Sequence, residues 1–397
     1  MGYDLARLRA MSGQAAIVGI GETDYGKDYR SARGARERGV AGELDSYGLA
    51  VRAFKRALAD SGLKKEDIDG VAVGGPVVHQ RVCEILGISP TWGADGGGDT
   101  LVPLATQAIN SGACNTVALI YGNAQRSMGT QYGGSSIGQN QITSYYYFHP
   151  WGWSSQGAHY AMMFKCHQLM YGSTEEQLGI VPVTIRKHAL LNENAVMRTP
   201  LTIEDYLSSR YICKPLHIYD YCLVNDGGVA LILRRADMAK GLPHHPVLVA
   251  GIGRATAELD ATQLRDRMLD LYAGVLGECA KEIFGMSRMT TRDVDHFQTY
   301  DAFSVHLPLN LEGFGFCKPG EAFDFMKDGN IEIGGELPCN TSGGMLSESY
   351  MQSWNHQVEA VRQLRHEAGA RQVKDAETSM YCHHGSGGAY GMMYRRA

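Results

Sequence analysis

The sequence predicts an α/β protein folded from two copies of one unit. Three observations predict it. The apolar, glycine-punctuated run Ala16–Gly21 recurs as Val247–Gly253. Each copy leads into an amphipathic helical stretch and then into a second strand at matching spacing, which is the mark of an internal repeat. The 397 residues also exceed what one compact core usually holds.

Taken in order, the first copy opens with a strand at Ala16–Gly21. Leu49, Ala53, Phe54, Ala57 and Leu58 then fall at helical spacing and bury one face. The run from Glu66 to Val73 enters the next strand. Thr100–Ser111 reads as a helix that is apolar nearly all round and is closed by Gly112, so it is expected at the centre of the molecule. Thr116–Tyr121 and Gly228–Leu233 are continuous apolar runs, as strands covered on both faces require. In the second copy Val247–Gly253 is followed by Leu271, Val275, Leu276, Cys279 and Ile283 at helical spacing, and then by Arg292–Thr299. The boundary is expected between Lys240 and Pro246, giving halves 1–243 and 244–397. From about 125 to 221 the first half carries an insertion, Gly/Ser/Gln-rich at Gly129–Gln141 and aromatic at Tyr145–Trp153. A cap of this kind commonly builds a substrate pocket. Met128, Met162, Met163 and Met170 would suit a bulky apolar ligand there, although ordinary core packing explains aromatics and methionines equally well.

Composition narrows the function. Hydrophobic residues make up 44% and charged residues 20%, with a net charge of −5 and no long Lys/Arg run, so nucleic acid is not an expected partner. No stretch approaches the roughly 20 apolar residues of a membrane span, and Met1–Gln14 lacks the apolar core of a signal peptide. The 9 cysteines include no Cys-x-x-Cys pair, which disfavours zinc. Their odd number points to reduced thiols in a cytoplasm.

Three segments after predicted strands in the second half could carry chemistry. They are Tyr300-Asp301-Ala302-Phe303, the run from Cys339 to Tyr350, and the run from Tyr381 to Ala389. Their glycine pairs expose backbone N–H groups that suit an oxyanion or a close ligand. With Gly313–Glu321, Asn340-Thr341-Ser342-Gly343-Gly344, Gly385-Ser386-Gly387-Gly388-Ala389 and Asp226–Ala230, they make the chain resemble the lipid-transfer-protein (SCP-x type) branch of the thiolase superfamily along essentially its whole length. The resemblance implies the five-layered αβαβα thiolase fold, usually dimeric.

The departures from that family are informative. Thiolases place an acyl-accepting cysteine at the start of the central helix, in a Cys-x-x-Gly context. Here the stretch is Gly93–Asp99, and counting back from Gln107-Ala108-Ile109 sets Asp95 on that position, give or take one. A carboxylate or glycine cannot form a thioester. Asp95 is read as a cap of the buried helix or as a catalytic group. The family histidine after the Asn-x-x-Gly-Gly element is replaced by Tyr350, and Cys382-His383-His384 stands at the place of a further catalytic Cys or His.

With these tyrosines the chain resembles the side-chain-cleaving aldolases of bacterial steroid degradation. That resemblance implies retro-aldol cleavage of a β-hydroxyacyl-CoA to a ketone and a shorter acyl-CoA such as propionyl-CoA. The reaction needs a base for the hydroxyl proton, an oxyanion hole and an acid for the enolate carbon, and no acyl-cysteine. A phenol serves if neighbours shift its pKa from about 10, and His383, His384, Asp301 and Asp95 are the candidate neighbours. Tyr300, Tyr350 and His383 are therefore the expected catalytic residues. Tyr300 could instead be a core tyrosine satisfied by Asp301 or His306. Asn340, Gly343, Gly344 and Gly387 are expected at the oxyanion or pantetheine, unless they merely form tight turns. No metal and no bound cofactor is implied, CoA being part of the substrate. A homodimer core with a small OB-fold partner protein, as in a heterotetramer, is implied by the same resemblance. Rival readings are an acyltransferase or condensing enzyme using Cys339 or Cys382, and a non-catalytic acyl-CoA carrier.

Overall fold

The structure, a computed structural model, describes residues 4–130, 151, 155–256, 268–385 and 388–397. Gly387, most of the Gly/Ser-rich run and the aromatic positions 145–150, 152 and 153 lie outside the described residues.

In chain order the strands are β1 (Ala15–Glu22), β2 (Gly70–Gly74), β3 (Trp92–Asp95), β4 (Thr116–Asn123), β5 (Tyr211–Cys213), β6 (Leu216–His217), β7 (Gly227–Arg235), β8 (Val247–Thr256), β9 (His296–Thr299), β10 (Thr378–Gly385) and β11 (Gly388–Arg396). The helices are α1 (Leu5–Met11), α2 (Tyr25–Arg38), α3 (Ser46–Ser61), α4 (His79–Leu86), α5 (Gly98–Asn110), α6 (Gln156–Tyr171), α7 (Glu175–Leu190), α8 (Ile203–Ser208), α9 (Met268–Ser287), α10 (His306–Gly313), α11 (Ala322–Met326) and α12 (Trp354–Arg365). Among the described residues no helix is long and apolar enough to cross a membrane.

The repeat is visible in strand order. Nine strands run β3-β2-β4-β7-β1-β8-β11-β10-β9. Outward from β1, the neighbours β7 and β4 are antiparallel and β2 and β3 are parallel. Outward from β8, β11 and β10 are antiparallel and β9 is parallel, and a parallel bridge from Phe297 to Cys339 stands where a fifth strand would. One pairing scheme is thus used twice, in mirrored order. The copies join where β1 meets β8, through the pairs Ala16–Leu248 and Ile17–Val247.

Period-two alternation sorts the strand side chains between layers. Leu119 and Tyr121 of β4 enter a central core with Leu231 of β7, Val249 of β8 and Met392 of β11. That core holds Leu101, Val102 and Ala105 of α5 and Trp354, Val358 and Val361 of α12. Ala118 and Ile120 face outward to Ala53, Phe54 and Ala57 of α3. On the opposite outer face Leu276 and Ile283 of α9 pack with Phe297 and Met380, and Phe164 and Val181 of the cap helices extend that core. The five layers are α3/α4, the β1–β4 and β7 half of the sheet, α5 with α12, the β8–β11 half of the sheet, and α9 with α10. Helix α5 is central as expected, except that Leu104 keeps one edge exposed.

Helix α12 is central although it is polar. Its buried Glu359 is paired with Arg371 at 3.0 Å. Burial alone would raise that carboxyl, and Arg371 brings it down to about 2. Sequence periodicity does not reveal such a helix, because ion pairs and amide bonds take the place of an apolar stripe.

Several buried groups link folding to pH. Burial holds His188, His296 and His384 down at about 4, whereas a free histidine titrates near 6.5. Between those values the unfolded chain binds protons that the folded chain refuses, so stability rises with pH across that window. Burial pushes Glu348 up to about 8 and Asp220 to about 6. These two retain protons in the fold that the unfolded chain has lost, which lowers stability as pH rises towards each value. Urea unfolding at successive pH values should show stability cresting near 6.5 and declining toward 8. A monotonic rise through pH 8 would contradict the assignment.

Candidate active site

Parallel strands leave their carboxyl ends open to loops, and ligands commonly bind there. β9 and β10 end side by side, facing the first turn of α5. The Tyr300 N–H continues their pairing by donating to the Cys382 carbonyl at 2.9 Å. The half-buried Tyr300 ring stacks on His383, with centroids 4.0 Å apart and planes at 27°, and meets the His306 ring edge-on at 5.3 Å.

Tyr350 arrives from a different element and is built into place. The chain turns at Gly343 and Gly344, with φ of +106° and +52°, into a single π-helical turn at Gly344–Glu348. A Cβ on Gly344 would run into the Asp301 carboxylate. That carboxylate is fully buried and accepts the Met345 N–H at 2.7 Å and His356 Nε2 at 2.9 Å. Beyond the turn, the Tyr350 N–H donates to Asn225 Oδ1 at 2.9 Å, and Asn225 Nδ2 donates to Ser349 Oγ at 2.7 Å. The Tyr300 and Tyr350 hydroxyl oxygens then lie 3.4 Å apart. A relaxed O–H···O bond is about 2.7–2.8 Å, so the hydroxyls converge without locking each other. Burial pushes the Tyr300 phenol well above its ordinary range, a shift that Tyr350's hydrogen bond moderates. Tyr300 therefore stays protonated in the free site.

Alternation along β10 decides between the adjacent histidines. Tyr381 points into the central core and Cys382 into the outer one, so His383 faces the central layer and His384 the outer one. His383 Nδ1 lies 2.8 Å from Asp99 Oδ2 in the first turn of α5. His306 is fully buried with the Tyr160 ring tilted against it at 4.3 Å, and among the described residues neither of its ring nitrogens has a hydrogen-bond partner.

Tyr300, Tyr350 and His383 thus come together. Other expectations need correction. Asp95 neither caps the helix nor reaches the tyrosines. It ends β3 exposed, and Gly97 is the N-cap of α5. The carboxylate that reaches the site is Asp99, because the helix begins three residues later than the count from Gln107 placed it. The glycine run before Asp99 was the only sequence signal for it. Asp301 does not flank the Tyr300 hydroxyl but clamps the turn that carries Tyr350. Asn340 is fully buried, its carboxamide bonded in both directions to the Thr299 backbone at 2.8 and 2.9 Å. It fixes the end of β9 and does not project towards a ligand. Gly343 and Gly344 are buried as well, and the Gly344 position is explained by Asp301. Among the described residues no His, Cys, Asp and Glu cluster could hold a metal ion.

The cysteines are poor nucleophiles. Cys339 is fully buried, donates to the Leu337 carbonyl at 3.1 Å and is pushed well above the usual thiol range by burial. Cys382 is fully buried beside Thr299, and burial raises it strongly too. Half-buried Cys222 is shifted the same way for the same reason. All three remain thiols, and acyl capture needs a thiolate.

Residues 257–394 match the thiolase C-terminal domain-like family. The chain is 33% identical over 374 residues, 90% of its length and 92% of the relative's, to a steroid side-chain-cleaving aldolase of Thermomonospora curvata. The chain belongs to this family of thiolase-fold aldolases. It is equally 33% identical, over 89% of its length and 92% of the relative's, to a Mycobacterium tuberculosis protein named 17-hydroxy-3-oxo-4-pregnene-20-carboxyl-CoA lyase. Among solved structures, the Ltp2-ChsH2(DUF35) aldolase superposes with a TM-score of 0.85 at 30% identity, covering 97% of this chain and 98% of that one. Membership agrees with a site that has phenols and, among the described residues, no exposed cysteine.

The geometry gives Asp301 a structural task that can be measured. Asp301→Ala strands three buried donors, and a buried donor left unsatisfied costs about 1–3 kcal/mol. Urea unfolding should show a loss of that size. An unchanged midpoint would remove the clamp from the account.

Proposed function

We propose that the chain cleaves a β-hydroxyacyl-CoA by a retro-aldol step, with Tyr300 and Tyr350 as the acid/base pair. The observation that carries this reading is the convergence of the two phenol oxygens, 3.4 Å apart, at the strand ends of a family whose relatives are named aldolase and lyase. The β-hydroxyl proton leaves to a base, and its O–H electrons form the ketone carbonyl. The Cα–Cβ bond breaks, and its electron pair moves onto the α-carbon as a thioester enolate. A phenol proton then reaches that carbon and completes the shorter acyl-CoA. No covalent enzyme intermediate is required, so the buried thiols are no handicap.

The relatives' names favour a bulky steroid acyl group, releasing a ring-system ketone and a short acyl-CoA such as propionyl-CoA. CoA enters as part of the substrate, and no resident cofactor takes part. Gly387 and the neighbouring strand ends stay proposed contacts for the thioester. The solved neighbour named with a second component favours a partner protein, for which we propose a small OB-fold chain beside a homodimeric core, and a cytoplasmic setting suits the reduced thiols.

Tyr300→Phe and Tyr350→Phe should fold normally, as judged by melting temperature, and lose most ketone release from a steroid β-hydroxyacyl-CoA. A positioned acid or base is worth about 10²–10⁴-fold. Near-normal turnover by both variants would reject the pair. In size-exclusion chromatography with the co-expressed partner, a hetero-oligomer is expected. A stable monomer that is fully active alone would remove both assembly proposals.

A further inference from the structure

Helix α2 carries a charge pattern that its own stability does not explain. Its 14 residues hold five cations and two acids, in a chain whose net charge is −5. Lys27, Arg30, Arg33 and Arg36 follow one another at three-residue spacing, so each lies within a turn of the next, and all are exposed. Like charges that close on a helix repel. The helix dipole favours cations in the last turn, which covers Arg36 and Arg38, but it opposes Lys27 in the first. The nearby acids are already engaged. Glu37 pairs with Arg33 at 2.8 Å, buried Asp28 lies 3.6 Å from Arg52, and Asp24 pairs with Arg56 at 2.8 Å. Among the described residues no acid stands within ion-pair distance of Lys27, Arg30, Arg36 or Arg38.

This basic face is tied to the segment that holds Tyr350. Asn225 accepts the Tyr350 N–H. On either side of Asn225, the Val224 carbonyl accepts from Arg126 Nη1 at 3.1 Å, and the Asp226 carboxylate accepts the Arg126 N–H at 2.8 Å. The Arg126 guanidinium lies over the Tyr29 ring of α2, 3.9 Å from its centre. Arg33 follows Tyr29 by four residues and so shares its side of the helix. The start of α2 is anchored in the same place. A Cβ on Gly227 would meet both Tyr25 and Met351, and Met351 directly follows Tyr350. With a rise of 1.5 Å per residue, the helix leads about 20 Å away from that point.

We propose that the cationic ladder of α2, joined to the Tyr350 segment through Arg126, binds the phosphate groups of the CoA handle. The proposal rests on the reading of the substrate as an acyl-CoA and places the far end of that handle. CoA carries its negative charge on a diphosphate and a 3′-phosphate, which a long flexible arm separates from the thioester. A ladder that starts beside the reacting tyrosines and leads away from them matches that layout. Guanidinium groups present paired N–H donors to phosphate oxygens. Four cations in a row meet more than one phosphate, and bound anions relieve the repulsion that the free helix carries.

The test uses the full chain, co-expressed with its partner, and reads binding without turnover. Calorimetric titration with CoA, dephospho-CoA and pantetheine separates the phosphates from the arm. The wild type should bind CoA more tightly than dephospho-CoA, and dephospho-CoA more tightly than pantetheine. The differences should shrink as salt rises, because exposed charges are screened. Arg30→Glu combined with Arg36→Glu should weaken CoA about 10-fold, the scale that two exposed charge contacts supply when attraction becomes repulsion. Pantetheine binding should not change. Lys27→Gln combined with Arg30→Gln should give a smaller loss in the same direction, and it decides if the charge-reversed variant melts early. CoA affinity within about twofold of wild type in the folded variants, or an equal loss for pantetheine, overturns the proposal. Loss of the co-purified partner at unchanged CoA affinity also overturns it and gives the ladder to an acidic protein surface. If the wild type releases no ketone from a steroid β-hydroxyacyl-CoA, the retro-aldol reading fails by itself, and the titrations still report on the ladder.

Discussion

The site depends on where Asp301 points. Its neighbour Tyr300 takes the position at the strand end, and Asp301 turns the other way to hold the Met345 N–H and His356. A buried carboxylate leaves these lone pairs unsatisfied only at high cost, so the turn after Gly344 has little freedom. Tyr350 follows five residues after Met345. Its separation from Tyr300 is set by that clamp, with Asn225 securing the far side. The requirement for glycine at position 344 comes from the same clamp, since the carboxylate fills the space a side chain would take.

Much of this was legible in the residues. The strands β1, β4, β7 and β8 announced themselves because a strand buried on both faces must be apolar throughout. The duplication was legible because both copies begin with the same glycine-punctuated run. Tyr300, Tyr350 and His383 could be singled out by motif, and the structure brings them together. What the residues hid is instructive in physical terms. Helix α12 is buried by pairing charges, so its periodicity looks like that of a surface helix. Asp95 and Asp99 flank one run of glycines, and only the start of α5 tells which carboxylate faces inward. Asn340 looked like a ligand group because it stands beside a glycine pair, and Asp301 looked like a neighbour that tunes a phenol. Asn340 instead satisfies backbone N–H and C=O groups of Thr299, and Asp301 holds the Met345 N–H and the His356 ring.

The chemistry follows from burial more than from any single residue type. Removing water from the site drives Cys339 and Cys382 toward neutral thiols and the Tyr300 phenol toward its neutral hydroxyl. Neutral thiols are inert, while neutral phenols remain good hydrogen-bond donors. The same environment that disables acyl capture therefore suits a reaction run by proton transfer.

The copies pair through two residues on β1 and two on β8 and share the central core of α5 and α12, and the residues of the candidate site come from both. Asp99 belongs to one copy, and both tyrosines and His383 belong to the other. Each copy has an outer core of its own, so either could tolerate a small rigid-body shift against its twin with its secondary structure intact. The carboxylate and imidazole could not, since a displacement of one ångström exceeds what a 2.8 Å hydrogen bond absorbs. The contact that spans the two copies is thereby the feature most sensitive to how the twins are aligned.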